Sequence, residues 1–264
     1  MADAEDDNGS VTAEREGHLM HVTVDRADKM NGFTPEMMAS LSLHLTHLDE
    51  NDDLWVGVLS FAGEHTTAGL DLPRFAGAMR GEEQGENRAG VDPFGMGRRC
   101  SKPIVMAVQG VTFTIGIEMM LAADIVVAAD NARFAQLEPK RGLGVFGGAH
   151  VRYVERAGWG NAMYHLLRAD EFDADRALQL GFVQEVVPVG QQVERAVELA
   201  HEILECAPLA VQEIKRASLV YAKEGEAAGF GEVAAMRAKT AGSEDFAEGL
   251  ASFMERRPAE FTGR

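Results

Sequence analysis

The chain has 264 residues, 46% of them hydrophobic and 25% charged, with a formal net charge of −17. That length supports one large core or a core with an appendage, and the composition is that of an ordinary globular protein. The acidic excess argues against nonspecific nucleic-acid binding, which neutralises phosphates with Lys and Arg, and no run approaches the roughly 18 apolar residues that span a bilayer.

Residues 1–10 are acidic and polar, the reverse of a secretory signal, and are expected to form a disordered tail. Cys100 and Cys206 lie far apart with no metal-ligand spacing, which points to a reducing, cytoplasmic setting.

In chain order, His18 to Val24 alternates apolar and polar residues and reads as a strand. Thr34-Pro35-Glu36 supplies an N-cap, a first-turn proline and an early acid for a helix running to about Glu50. Leu54 to Phe61 is a second, buried strand. Pro73 to Ser101, with the loose run Gly81-Glu82-Glu83-Gln84-Gly85, reads as a mobile, partly helical excursion. Pro103 to Gln109 is a further strand, and a helix follows from about Gly116 to Ala123. Asp124 to Ala129 and Ala132 to Gln136 are two short strands. From Gly147 onward the pattern is helical, broken at Gly158, at 181–187 and at Pro208. Strands alternating with helices, then helices alone, predict an α/β core over 11–190 and a helical region over 191–264.

Two stretches suggest chemistry. Thr67-Ala68-Gly69-Leu70-Asp71-Leu72 and Thr114-Ile115-Gly116-Ile117-Glu118 look like the halves of one oxyanion hole. Such a hole needs two main-chain N–H groups aimed at one oxygen, on backbone that a ligand can approach. Small residues at Ala68, Gly69 and Gly116 allow that approach. Glu118 and Glu138 add two carboxylates for proton transfer, although a first-turn glutamate also suits a helix dipole and Glu138 has Lys140 and Arg141 to pair with.

Other classes fit less well. Gly142-Leu143-Gly144-Val145-Phe146-Gly147 matches a dinucleotide fingerprint, but Pro139-Lys140-Arg141 precedes it where a strand is required. The pairs His18/His21 and His44/His47 have no carboxylate or cysteine cluster beside them, so no metal site is expected. His65 is placed to touch a ligand or to cap its turn. No Gly-x-Ser-x-Gly is present for a serine nucleophile.

With these motifs in this order, from Val22-Thr23-Val24-Asp25-Arg26 through Phe253-Met254-Glu255-Arg256-Arg257-Pro258, the chain resembles the crotonase (enoyl-CoA hydratase/isomerase) superfamily. The resemblance implies a spiral of ββα turns, a C-terminal helical trimerisation region, and stabilisation of an acyl-CoA thioester enolate. It implies that the N–H groups of Leu70 and Ile115 are the oxyanion donors, and that Glu118 and Glu138 are the two catalytic glutamates of a hydratase. Ala68, Gly69, Asp71, Leu72 and Gly116 then line the substrate. Coenzyme A arrives with the substrate, so no separate metal or redox cofactor is implied. Its phosphates need a local basic patch on an acidic protein, for which Arg26 and Lys29, and Arg256 and Arg257, are the candidates.

The implied reaction is hydration of a trans-2-enoyl-CoA by a homotrimer or dimer of trimers, with no nucleic-acid or membrane partner. Double-bond isomerisation, using one glutamate, is the alternative, and a non-catalytic CoA-binding or assembly role is a third. Two departures stand out. Thr114-Ile115-Gly116 replaces a glycine triplet, so Ile115 must present its N–H from an ordinary backbone conformation and adds bulk near the thioester. The 142–147 loop lacks the usual proline, and its Phe146 either shapes the acyl pocket or packs in the core.

Overall fold

The computed structural model describes residues 8–79 and 89–264. The first strand pair is a hairpin, β1 (Ser10–Glu16) and β2 (Leu19–Asp25), in antiparallel register with Ser10 opposite Asp25 and Glu16 opposite Leu19. The first strand opens at Ser10, and residues 1–7 of the expected tail lie outside the described residues. β1 carries little hydrophobic signal because it is an edge strand whose alternate residues face solvent.

Helix α1 (Pro35–Glu50) starts where the sequence places it. The Thr34 side chain accepts from Met37 N at 3.2 Å, Pro35 occupies the first turn, and Met37, Leu41, Leu45 and Leu48 form the buried stripe. β3 (Val56–Phe61) is buried throughout. Gly57 within it lets Leu48 approach so closely that a Cβ there would meet Leu48 Cδ2 at 2.5 Å.

Helix α2 (Leu72–Met79) takes the first part of the predicted excursion. The run Gly81 to Gly85 lies outside the described residues. The stretch after it is fastened: Asp92 accepts main-chain N–H bonds from Phe94, Met96 and Gly97, and Asp49 accepts from Ser101 and Arg98.

β4 (Ile104–Val108), β5 (Val111–Phe113), α3 (Ile115–Ala122), β6 (Ile125–Ala129) and β7 (Arg133–Ala135) follow in close succession. Then come α4 (Ala149–Arg168), β8 (Phe172–Asp173), α5 (Ala174–Gln179) and β9 (Glu185–Val187). The chain ends in α6 (Gln192–Leu204), α7 (Pro208–Glu224), α8 (Glu226–Gly231), α9 (Val233–Ala241) and α10 (Glu244–Glu255). Gly158 breaks the α4 backbone with φ +74°.

Six strands form one sheet in the order β1-β2-β3-β4-β6-β9, parallel except for the first pair. A smaller sheet has the order β5-β7-β8. The large sheet is covered on both faces, as parallel sheets require. Val56, Val58, Val105, Ala107 and Val127 face Ala196 and Ala200 of α6, while Leu59, Phe61, Met106, Val108 and Val126 face the main core. The sequence reading of helices alone after Gly147 needs correction, because β8 and β9 are strands. They are two and three residues long, and β9 is held by pairing to β6 rather than by any periodicity of its own.

Candidate active site

Two loops and one helix converge at the ends of β3, β4 and β5. Residues 64–71 run beside β5: Thr67 N donates to Val111 O at 3.0 Å, and Phe113 N donates to Thr67 O at 3.0 Å. The first donor loop is therefore bonded to β5, the strand that leads directly into the second. Thr114 N then donates to Ala135 O at 2.9 Å, which ties the start of α3 to β7.

The first loop is built around Gly69. Its φ of +119° and its packing on Thr114 both demand glycine, since a Cβ would stand 2.5 Å from Thr114 Oγ1. Ala68 N bonds Met30 O, Gly69 N bonds Thr67 Oγ1, and Asp71 N bonds Phe33 O. Between them the Leu70 N–H has no protein partner among the described residues.

The second donor comes from the N-terminus of α3. Apart from Glu118 this helix is apolar, it is almost wholly buried, and its Thr114 N-cap makes no side-chain cap bond. The N–H groups of Ile115 and Gly116 consequently have no partner among the described residues, and they carry the positive end of the helix dipole. Gly116 lets the helix approach Thr67, whose Cγ2 a Cβ would meet at 2.8 Å. At the other end of α3, Arg99 donates to Ala122 O at 2.7 Å and Arg156 to Leu121 O at 3.4 Å, so cations cap the negative end.

Ile115 is helical and presents its N–H from an ordinary backbone conformation, as expected; the positive φ falls instead on Thr114 (φ 52°, ψ −114°), another β-branched residue. The expectation that Ile115 adds bulk near the thioester is corrected. The Ile115 side chain, 5% exposed, packs in the main core, because as the first helical residue it points back into the protein.

Glu118 is 1% exposed. Its Oε1 accepts N–H bonds from Gly147 at 2.8 Å and Ala149 at 3.2 Å, at the entry to α4. Its Oε2 makes no protein hydrogen bond among the described residues. Burial pushes its pKa up, against those two N–H groups and the Arg152 guanidinium. Glu138 opens a short 3₁₀ turn (Glu138–Arg141) after β7. Burial is the main cause that pushes its pKa up to about 7; its own N–H opposes this and the negative Glu118 adds to it. The Gln136 amide, with its nitrogen turned toward these acceptors, reaches Glu138 Oε2 at 3.1 Å and Thr114 O at 3.2 Å.

Asn31, Gln136 and Arg152 were not singled out from the sequence. Asn31 is fully buried, accepts from Arg26 N and donates to Ala62 O and His65 O, which holds the turn against the Ala68 loop. The Asn31-Gly32 dipeptide, a turn signal, was the clue available in the sequence, and Asn31 is indeed left-handed.

Lys29 is exposed on that same turn, beside Met30, whose carbonyl receives Ala68 N. Arg26 instead points inward at 6% exposure and donates to Gly32 O and to Asp71 Oδ2 at 3.0 Å. Leu72 is exposed and opens α2. Arg257, far along the chain, is engaged by Glu248 and Glu255.

Phe146 is 62% exposed, which removes the core-packing reading. His65 Nδ1 accepts from Val111 N at 3.3 Å and so caps its turn. His18, His21 and His44 pair with Asp53 O, Ser60 Oγ and Val11 O, and no group of three metal-ligating side chains gathers among the described residues. Both cysteines are free. No helix among the described residues is long and apolar enough to cross a membrane.

Comparison with known proteins places the chain in a family. The profile of the family described as Enoyl-CoA hydratase/isomerase matches residues 14–264. The enoyl-CoA hydratase EchA19 of Mycobacterium tuberculosis is 32% identical over 254 residues, covering 95% of this chain and 96% of its own. A short-chain-enoyl-CoA hydratase of Clostridium acetobutylicum is 29% identical, with 95% and 97% covered. The crystal structure of a probable enoyl-CoA hydratase/isomerase from Mycobacterium abscessus superposes with a TM-score of 0.93 at 41% identity, covering 96% of this chain and 98% of that one. The family profile extends over nearly the whole chain, and the chain belongs to the enoyl-CoA hydratase/isomerase family, with the crotonase fold.

Proposed function

We infer that this protein hydrates a trans-2-enoyl-CoA to the 3-hydroxyacyl-CoA. The observation that carries the reading is the pair Glu118 and Glu138, both with raised pKa, set beside two open main-chain donors. In this mechanism the N–H groups of Leu70 and Ile115 hold the thioester oxygen as it gains negative charge, each worth roughly 3–4 kcal/mol of barrier. Glu118, anchored through Oε1, uses its open Oε2 to take a proton from water as the water oxygen bonds to the β-carbon. Glu138, protonated near neutrality, delivers a proton to the α-carbon, so the double bond is consumed and one water is added. Two carboxylates suit addition of water, whereas shifting a double bond needs only one.

The thioester arm runs past Ala68, Gly69, Asp71, Leu72 and Gly116, and Lys29 is the cation offered to the phosphates. Arg26 serves this site by fixing Asp71 and the Gly32 turn from within. The chemistry draws on main-chain donors and carboxylates and calls for neither a metal nor a redox cofactor. Exposed Phe230, Phe246, Leu250, Phe253 and Met254 on the C-terminal helices support self-association, which the family resemblance makes a trimer or a dimer of trimers in the cytoplasm.

The test is loss of the conjugated thioester absorbance with trans-2-butenoyl-CoA and trans-2-decenoyl-CoA, for the wild type, Glu118→Gln and Glu138→Gln. Turnover that falls by orders of magnitude in both variants, with acyl-CoA binding retained, supports hydration. Conversion of a 3-enoyl-CoA without hydration would replace the reading with isomerisation, and binding without turnover on any of them would favour a non-catalytic CoA-binding role.

A further inference from the structure

We propose that Tyr153 is a positioning residue of the carboxylate pair, its hydroxyl holding the reacting water against Glu118 and Glu138; this rests on the hydratase reading above. Tyr153 is among the largest fully buried side chains, at 0% exposure, yet its hydroxyl has no hydrogen-bond partner among the described residues. A buried hydroxyl left unpaired is costly, so such a group in a native fold is normally met by water or ligand.

The position of the ring follows from α4. Ala149, whose N–H holds Glu118 Oε1, lies four residues before Tyr153 and hence on the same helix face. Side chains in a helix lean toward its N-terminus, so the tyrosine reaches back over the turn that carries the Glu118 carboxylate. Phe182 packs on the ring at a centroid distance of 4.4 Å and limits where the hydroxyl can swing. Burial and the negative fields of Glu138, Glu118 and Asp170 raise the phenol pKa well above its usual value, so it stays a proton-bearing donor at every working pH.

A water between the carboxylates has four hydrogen-bonding directions. Two are met by Glu118 Oε2 and Glu138, and one lone pair must face the β-carbon. The Tyr153 hydroxyl, which both donates and accepts, meets the fourth. It directs the attacking lone pair and, by donating into the anionic network, favours the ionised form of the base.

The variant is Tyr153→Phe in the full chain, which removes only an atom that has no partner among the described residues and keeps the ring packed on Phe182. With trans-2-butenoyl-CoA, kcat is expected to fall about 10-fold, the loss of one hydrogen bond to the reacting water. KM is expected to hold, and the acid limb of the kcat profile to move to higher pH, because the base loses a donor that favours its ionised form. Wild-type kcat in the variant, or a loss of kcat with the pH profile unmoved, overturns the proposal. Failure of the underlying reading looks different: the wild type itself then hydrates no enoyl-CoA, and the role of Tyr153 falls with it.

Discussion

Gly69 and Thr114 meet across the two donor loops, with room for a hydrogen but not for a methyl group: a Cβ on residue 69 would lie 2.5 Å from Thr114 Oγ1. Gly69 is also held at φ +119°, where alanine is strained. Gly69→Ala is therefore expected to destabilise the fold by about 1–3 kcal/mol. It should also cost about 100-fold or more in kcat/KM, because the neighbouring Leu70 N–H is pushed off its aim. Denaturant unfolding and hydration kinetics measure the two effects separately. Unchanged kcat/KM in a destabilised variant would remove Leu70 from the donor pair.

Gly147 offers a purely steric test of Glu118. Its own N–H holds Oε1, and a Cβ there would overlap Oε2 and crowd the carboxylate carbon at 2.7 Å. Glu118 Cβ would also stand at 2.9 Å, so turning the carboxylate alone does not relieve the clash. Gly147→Ala is expected to displace the whole Glu118 side chain or the 147 loop, at a cost of about 1–3 kcal/mol in stability, and to lose about 100-fold in kcat because the base no longer faces the water. The rate loss should resemble that of Glu118→Gln. A variant with full activity would show that Oε2 is not the reacting atom.

Much of this site was legible because its parts obey local rules. Thr34-Pro35 announces α1, the apolar run at β4 announces a buried strand, and Glu118 follows the donor loop at a fixed step along the helix. What was not legible depends on three-dimensional placement. Residue identity did not reveal that Thr114 bears the left-handed backbone, since the turn into α3 is set by Thr114 N bonding to Ala135 O on another strand. Tyr153 gave no signal either: a tyrosine in a helix is ordinary until the helix entry is seen holding Glu118. The charged edge strand β1 and the three-residue β5 and β9 were missed because neighbours, not their own patterns, hold them in place.

Thr114 stores strain at the centre of the site. A β-branched residue at φ 52°, ψ −114° sits where glycine is favoured, a cost of order 1–3 kcal/mol. Thr114→Gly relieves that cost, offset by about 0.5–1 kcal/mol of added chain entropy. Thr114→Ala keeps a Cβ and so keeps most of the strain. Thr114→Gly is expected to be at least as stable as the wild type and more stable than Thr114→Ala. Thermal unfolding of the three proteins gives the order, and the reverse order would mean that the Thr114 side chain stabilises the loop more than its backbone strains it.

The raised pKa of Glu138 ties catalysis and stability to the same proton. Burial and the Glu118 charge lift this carboxyl from 4.5 in an exposed chain to about 7 in the fold. As the proton donor to the α-carbon it must be protonated, so kcat should fall as pH rises through about 7, whereas the acid limb belongs to Glu118, which must be ionised. Because the two charges interact, the profile reports the pair rather than either residue. Between pH 4.5 and 7 the folded state holds the Glu138 proton more tightly than the unfolded chain does. Stability that this group confers below pH 4.5 is therefore lost as pH rises to 7. Glu138→Gln has no proton to lose there. It should be more stable than the wild type at pH 8, with the difference shrinking toward pH 5, while hydrating far more slowly at both. Parallel unfolding curves at the two pH values decide this. A constant difference between variant and wild type would mean that Glu138 ionises in the fold as it does in the open chain, and the donor role would then pass to another group.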